Sequence, residues 1–103
     1  MSESSVVESI RNLIHSRGGR CIKICPDGRG LKGEPDLICC VDGKFVAIEV
    51  KAPGKKPRLL QLRKLELWRQ AGAIAFWADS KEDVEESIYG DEDTGTQEPV
   101  IRH

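Results

Sequence analysis

The sequence has no apolar run approaching the ~20 residues that a membrane-spanning helix needs, no internal repeat and no low-complexity tract. It has no excess of either charge: 16 Lys and Arg against 17 Asp and Glu leave a net charge of −1, which by itself argues for no class of partner. The opening Met-Ser-Glu-Ser-Ser is not the pattern of a secretory leader. The 4 cysteines make no paired Cys-x-x-Cys knuckle: Cys21 and Cys25 flank a short strand pattern, and Cys39 and Cys40, adjacent on a strand, point to opposite faces. The expectation is an intracellular protein with reduced thiols, not secreted and not in a membrane. At 103 residues it is one domain, able to bury roughly 60–70 % of its unfolded surface and to hold a core without staples.

What is present centres on one stretch. Leu37-Ile38-Cys39-Cys40-Val41 and Lys44-Phe45-Val46-Ala47-Ile48-Glu49-Val50-Lys51 are β-rich runs joined by Asp42-Gly43, a strong hairpin signal. Strand side chains alternate faces, so Val46, Ile48 and Val50 enter a core while Glu49 and Lys51 turn together to the other side. The hairpin lays Asp36, which opens the first strand, beside Glu49. Two carboxylates and one ammonium then converge, a set suited to Mg²⁺ or Mn²⁺ with its oxygen ligands and retained waters. A lysine beside them can orient a water or steady charge on a phosphate.

At these residues the chain resembles the PD-(D/E)xK nuclease superfamily, with Pro35-Asp36 as the first half of the motif and Glu49-Val50-Lys51 as the second. Within it the chain looks most like the virus-type replication-repair nuclease (VRR-NUC) domain, in the stand-alone form whose relatives resemble Holliday junction resolvases. Acid-x-Lys also occurs at Asp42-Gly43-Lys44 and Asp79-Ser80-Lys81, and a second Pro-Asp stands at Pro26-Asp27. Context separates them. Asp42 is in the hairpin turn, Asp79 is where a helix is capped, and Pro26-Asp27-Gly28 has turn chemistry.

The rest of the chain fits that frame. Apolar spacing predicts a first helix over about 4–17, stopped by Gly18-Gly19, and a strand over 20–25 with Ile22 and Ile24 inward. His15 reads as a surface histidine. The 26–33 segment is glycine-rich and carries Arg29 and Lys32, which can meet a DNA phosphate just ahead of Asp36. After Lys51, two prolines keep Ala52-Pro53-Gly54-Lys55-Lys56-Pro57 out of helix. A helix follows over about 58–71, with Leu59, Leu62, Leu65 and Trp68 at three-residue steps. Ala73-Ile74-Ala75-Phe76-Trp77 predicts a buried strand reached by a parallel crossover, and Ser80 caps a last helix to about Tyr89. The order αβββαβα, a mixed central sheet flanked by helices, is that of an α/β restriction-endonuclease-like fold. The domain spans 1–89, and 90–103 is an acidic tail, read as disordered or as lying across a partner subunit.

The resemblance implies more. It places an additional acid on the first helix, and Glu3 falls near the centre of the apolar stripe while Glu8 falls on the opposite face, so Glu3 is the candidate and Glu8 the runner-up. It makes Gln61, on the first turn of the helix after the lysine, part of the active site, and it recruits the Val50 carbonyl as a metal ligand. The implied protein is a divalent-metal-dependent DNA endonuclease. In it Asp36, Glu49, Val50 and Glu3 hold the metal, Lys51 and Gln61 position the attacking water, and Arg29, Lys32, Lys55, Lys56 and Arg58 hold the DNA backbone. The crowding of Lys51, Lys55, Lys56, Arg58, Arg63, Lys64 and Arg69 in one segment supports a phosphate-binding face. Junction resolution implies a C2 homodimer on branched DNA such as four-way junctions, with no nucleotide cofactor. The rival reading is a catalytically weak module that grips branched DNA or docks to a replication or repair partner.

Overall fold

The computed structural model describes residues 1–24 and 31–90. Arg29 and all of the expected tail beyond Gly90 lie outside the described residues. The elements run α1 (Glu3–Ser16), β1 (Arg20–Lys23), β2 (Leu37–Val41), β3 (Lys44–Val50), α2 (Leu59–Gln70), β4 (Ile74–Ala78) and α3 (Lys81–Val84), the last continuing into a π-helical turn over Glu85–Tyr89. The four strands form one sheet in the order β1-β2-β3-β4, antiparallel across the first two pairs and parallel between β3 and β4. This is the mixed, helix-flanked sheet that the sequence predicts.

Local chemistry sets the boundaries. Ser2 caps α1, its Oγ accepting from the Ser5 N–H at 3.1 Å, and the Gly19 N–H closes the other end on the Ile14 carbonyl at 2.9 Å. Gly19 has no room for a side chain, since a Cβ there would stand 2.8 Å from Ile14 Cγ2 and 3.0 Å from the Cys40 carbonyl. The β2–β3 turn is the two-residue Asp42-Gly43 connection, both residues at positive φ, 51° and 79°, as a tight hairpin demands.

The sheet has one cluster on each face. α1 covers the first, where Val6, Val7, Ile10 and Ile14 pack with Cys21, Leu37, Cys39, Val46, Ile48, Val50 and Phe76. α2 covers the second over β3 and β4, where Leu65 packs with Ala47, Ala75 and Trp77. The predicted inward face of β1 is corrected: Cys21 is buried at 1 % exposure, whereas Ile22 is 47 % exposed. α1 lies over the Cys21 face of this edge strand, whereas α2 packs mainly on β3 and β4, so the Ile22 face is left at the margin. Leu59, expected to head the apolar stripe of α2, is 84 % exposed, since three-residue steps fall behind the helical period and leave it roughly 120° round the axis from the buried Leu65.

Candidate active site

Asp36 is held before β2 begins. Pro35 ahead of it is fully buried, and the Asp36 carbonyl accepts from the Ile24 N–H at 2.7 Å. Gly33 makes the preceding turn at φ +81°, where a Cβ would stand 2.7 Å from Leu60 Cγ of α2. Only glycine lets this turn come so near the helix. The Val50 N–H, at the end of β3, donates to Asp36 Oδ2 at 2.8 Å, so the carboxylate takes the place of a ladder partner and is fixed against β3.

Glu49 is 2 % exposed, one of two buried polar residues among those described. By strand alternation it shares the α2 face with Ala47. Two donors meet its Oε2: Gln61 Nε2 at 2.9 Å and Lys51 Nζ at 3.5 Å. The Gln61 amide cannot be turned round, because its Oε1 accepts the Arg58 N–H at 2.8 Å and only an oxygen can do so. One side chain thus closes the start of α2 and clamps Glu49. The Lys51 N–H donates to the Ala78 carbonyl at 2.9 Å, which continues the β3–β4 ladder past Val50 and fixes the lysine backbone.

Glu49 Oε1 is buried and makes no hydrogen bond among the described residues. Burial first, then the charge of Asp36, raises the Glu49 carboxyl to about 8, against the lowering pull of Lys51. A buried acid beside a half-buried one, with one ammonium, is short of positive charge. A bare carboxylate oxygen beside a second, anchored carboxylate is the donor set of a small hard cation, so the residues present fit Mg²⁺ or Mn²⁺.

The structure therefore brings Asp36, Glu49, Lys51 and Gln61 together, with Val50 bonded to Asp36. It does not bring Glu3 or Glu8 to them. Both are exposed on α1, which packs on the opposite face of the sheet. Among the described residues no group of three or more His, Cys, Asp or Glu is placed to hold a metal ion. Lys32, Lys55, Lys56 and Arg58 are exposed and make no ion pair among the described residues. The expected basic face is thinner than its composition. Lys64 pairs with Glu34 at 3.4 Å and Arg69 with Glu66 at 2.8 Å, so both are spoken for within the fold.

Glu34 and Trp68 are the supporting residues that sequence reasoning passed over. Trp68, placed by its spacing on the apolar stripe of α2, donates its Nε1–H to Glu34 Oε1 at 2.9 Å and stacks on Phe45 with ring centroids 5.1 Å apart. It ties α2 to the turn leading into Asp36. The available signal was an acid two residues before Asp36, hence on the same face if the strand is extended backwards.

No family model matches. A curated relative, "Putative nuclease p44" of Acyrthosiphon pisum secondary endosymbiont phage 1, is 37 % identical over 62 residues, which are 59 % of this chain and 64 % of that protein. The chain thus spans a little under two thirds of that relative. A solved structure described as a VRR_NUC domain is similar with a TM-score of 0.71 and 31 % identity, over 84 % of this chain and 94 % of the other. A second, described as a VRR_NUC domain protein, has a TM-score of 0.70 over 100 % of this chain and 98 % of its own, and at 20 % identity is a likeness of fold.

Proposed function

The chain belongs to the VRR-NUC family, and from that premise we propose that this nuclease is a divalent-metal-dependent DNA endonuclease selective for branched DNA. The observation that carries the proposal is the bare, buried Glu49 Oε1 beside Asp36 and Lys51. Asp36, Glu49 and the Val50 carbonyl would hold the ion. When bound, a divalent cation supplies Lewis acidity at the scissile phosphate and a lowered pKa for water.

The chain's own residues do the positioning. Gln61, fixed by the Arg58 N–H, holds Glu49 Oε2 and leaves Oε1 for the ion. The Val50 N–H holds one oxygen of Asp36 and so fixes that carboxylate beside Glu49 for the same purpose. Lys51 makes the longest of these contacts: its ammonium is 3.5 Å from Glu49 and partly open to solvent. It donates to the attacking water or to a non-bridging phosphate oxygen, so charge developing in line is met by a cation already beside the acids. Lys32, Lys55, Lys56 and Arg58 grip the backbone, with Arg29 from the segment outside the described residues. Backbone contacts carry no base readout, so selectivity comes from DNA shape.

A small domain with one site needs a symmetric partner to make paired cuts, and a C2 homodimer supplies it. Exposed Ile22, Phe45, Leu60 and Leu67, all on the α2 side of the sheet, offer apolar surface for it. The test is cleavage of an end-labelled four-way junction beside a matched linear duplex, in Mg²⁺ and in Mn²⁺, by the native protein and by Lys51→Ala. Paired symmetric cuts in the junction, absent from the variant, are expected. Equal cutting of both DNAs would remove the branch selectivity, and binding without cutting in either metal would leave a DNA-binding module.

A further inference from the structure

On the sheet face opposite Glu49, two thiols meet across β1 and β2. Cys21 and Cys39 are register partners. The Ile24 N–H bond to the Asp36 carbonyl marks that facing pair as hydrogen-bonded, and alternation along the antiparallel ladder makes Cys21–Cys39 a non-hydrogen-bonded pair. In such pairs the Cα atoms stand about 4.5 Å apart and the side chains are closest. That separation lies inside the range of about 4.4–6.8 Å that a disulfide spans. The backbone agrees: the Cys21 N–H points away from β2 and donates to His15 Nε2 at 3.1 Å. Both thiols are buried, and the Cys39 S–H donates to Cys21 Sγ at 2.9 Å.

We propose that Cys21 and Cys39 are a peroxide-oxidisable dithiol that closes to an intrachain disulfide and fastens the edge strand β1 to β2. The two members are unequal. The hydrogen bond from Cys39 lowers the Cys21 thiol, burial opposes this, and the Arg11 guanidinium on α1 lowers it further. Its partner is raised by donating that bond and by burial. Thiolate character therefore rests on Cys21, beside a cation, the setting in which a cysteine reacts. A hydroperoxide reaches it when β1, a four-residue edge strand, opens locally.

Cys21 sulfur attacks one oxygen of hydrogen peroxide: an S–O bond forms, the O–O bond breaks, and the other oxygen leaves as hydroxide, which the proton given up by the Cys21 thiol converts to water. Cys39 sulfur then attacks Cys21 sulfur, forming S–S and breaking S–O, and its proton leaves with the departing oxygen as a second water. Two thiols lose two electrons and the peroxide gains them. A dithiol reductant reverses the change. The partners are 18 positions apart, and the loop they close contains the whole segment leading into Asp36.

The test uses the full chain carrying Cys25→Ser and Cys40→Ser, which leaves only these two thiols. The folded protein is treated with hydrogen peroxide, and its free thiols, intact mass and Tm are measured. Expected are loss of both thiols in a single chain, a mass lower by about 2 Da, and a Tm higher by roughly 10 °C, all reversed by dithiothreitol. Adding Cys39→Ser should stop the reaction at a sulfenic acid on Cys21, trapped by dimedone, with no gain in Tm. Two thiols surviving in the folded protein, a bond formed only in denaturant, or oxidation straight to sulfinic acid would each overturn the proposal. Should the Cys39→Ser protein not fold, thiol count and mass of the two-thiol protein decide alone.

Discussion

The two faces of β3 are built from alternate residues of one strand and do opposite things. Val46, Ile48 and Val50 are wholly buried under α1, whereas Ala47 and Glu49 turn toward α2, and the buried group there is a carboxylate with one bare oxygen. Each of the aliphatics contributes about 1.5–3 kcal/mol by leaving water. A buried polar atom left unpaired costs about 1–3 kcal/mol. The three aliphatics outweigh the acid, so the strand keeps an unfavourable group in place because its reverse side is favourable. Stability and chemistry are separated by parity along the chain.

Substitutions can break that separation, and the largest effect is expected at Lys51. Lys51→Ala should cut junction cleavage by about a hundredfold or more while leaving the urea midpoint nearly unchanged. Ile48→Ala, one position from Glu49 but on the other face, should do the reverse. It should lose about 2–5 kcal/mol of stability in urea and still cleave at temperatures below its transition. Loss of cleavage by folded Ile48→Ala would show that the faces are not independent.

The comparison sharpens with pH. The folded Glu49 carboxyl stands at about 8 against an ordinary value of 4.5. Between those values the folded, metal-free protein holds a proton that the unfolded chain has lost. This contribution to stability is fully present below pH 4.5 and is lost as pH rises through 8. Glu49→Gln should flatten that fall in a urea titration series. A cation favours the ionised form, so calorimetry near pH 6.5 in buffers of different ionisation enthalpy should record about one proton released per ion bound. The smallest effect belongs to Trp68→Phe, which removes the bond to Glu34 and should cost about 1 kcal/mol with little change in cleavage.

Most of the fold was legible because its signals are local. Asp42-Gly43 gives the hairpin, and the apolar run ending in Phe76-Trp77 gives the buried parallel strand. The strand β1 was misjudged because two inward phases compete in Arg20-Cys21-Ile22-Lys23, and the choice depends on how far each helix reaches across the sheet. In the site, Asp36, Glu49 and Lys51 could be grouped by parity and hairpin register. Glu34 and Lys64 could not, since their pairing depends on how close α2 lies to the turn at Gly33. Glu3 stands on the helical stripe that periodicity gave it, but periodicity does not tell on which side of a sheet a helix settles.

The amide of Gln61 has one further consequence. Its oxygen finishes the first turn of α2 and its nitrogen holds Glu49, so helix start and acid share a single hinge pin. A pull on the 52–58 connection, where Lys55, Lys56 and Arg58 stand in solvent, would reach the carboxylate through one planar group. In the proposed function, the grip on a strand and the alignment of the acid would then be one mechanical event.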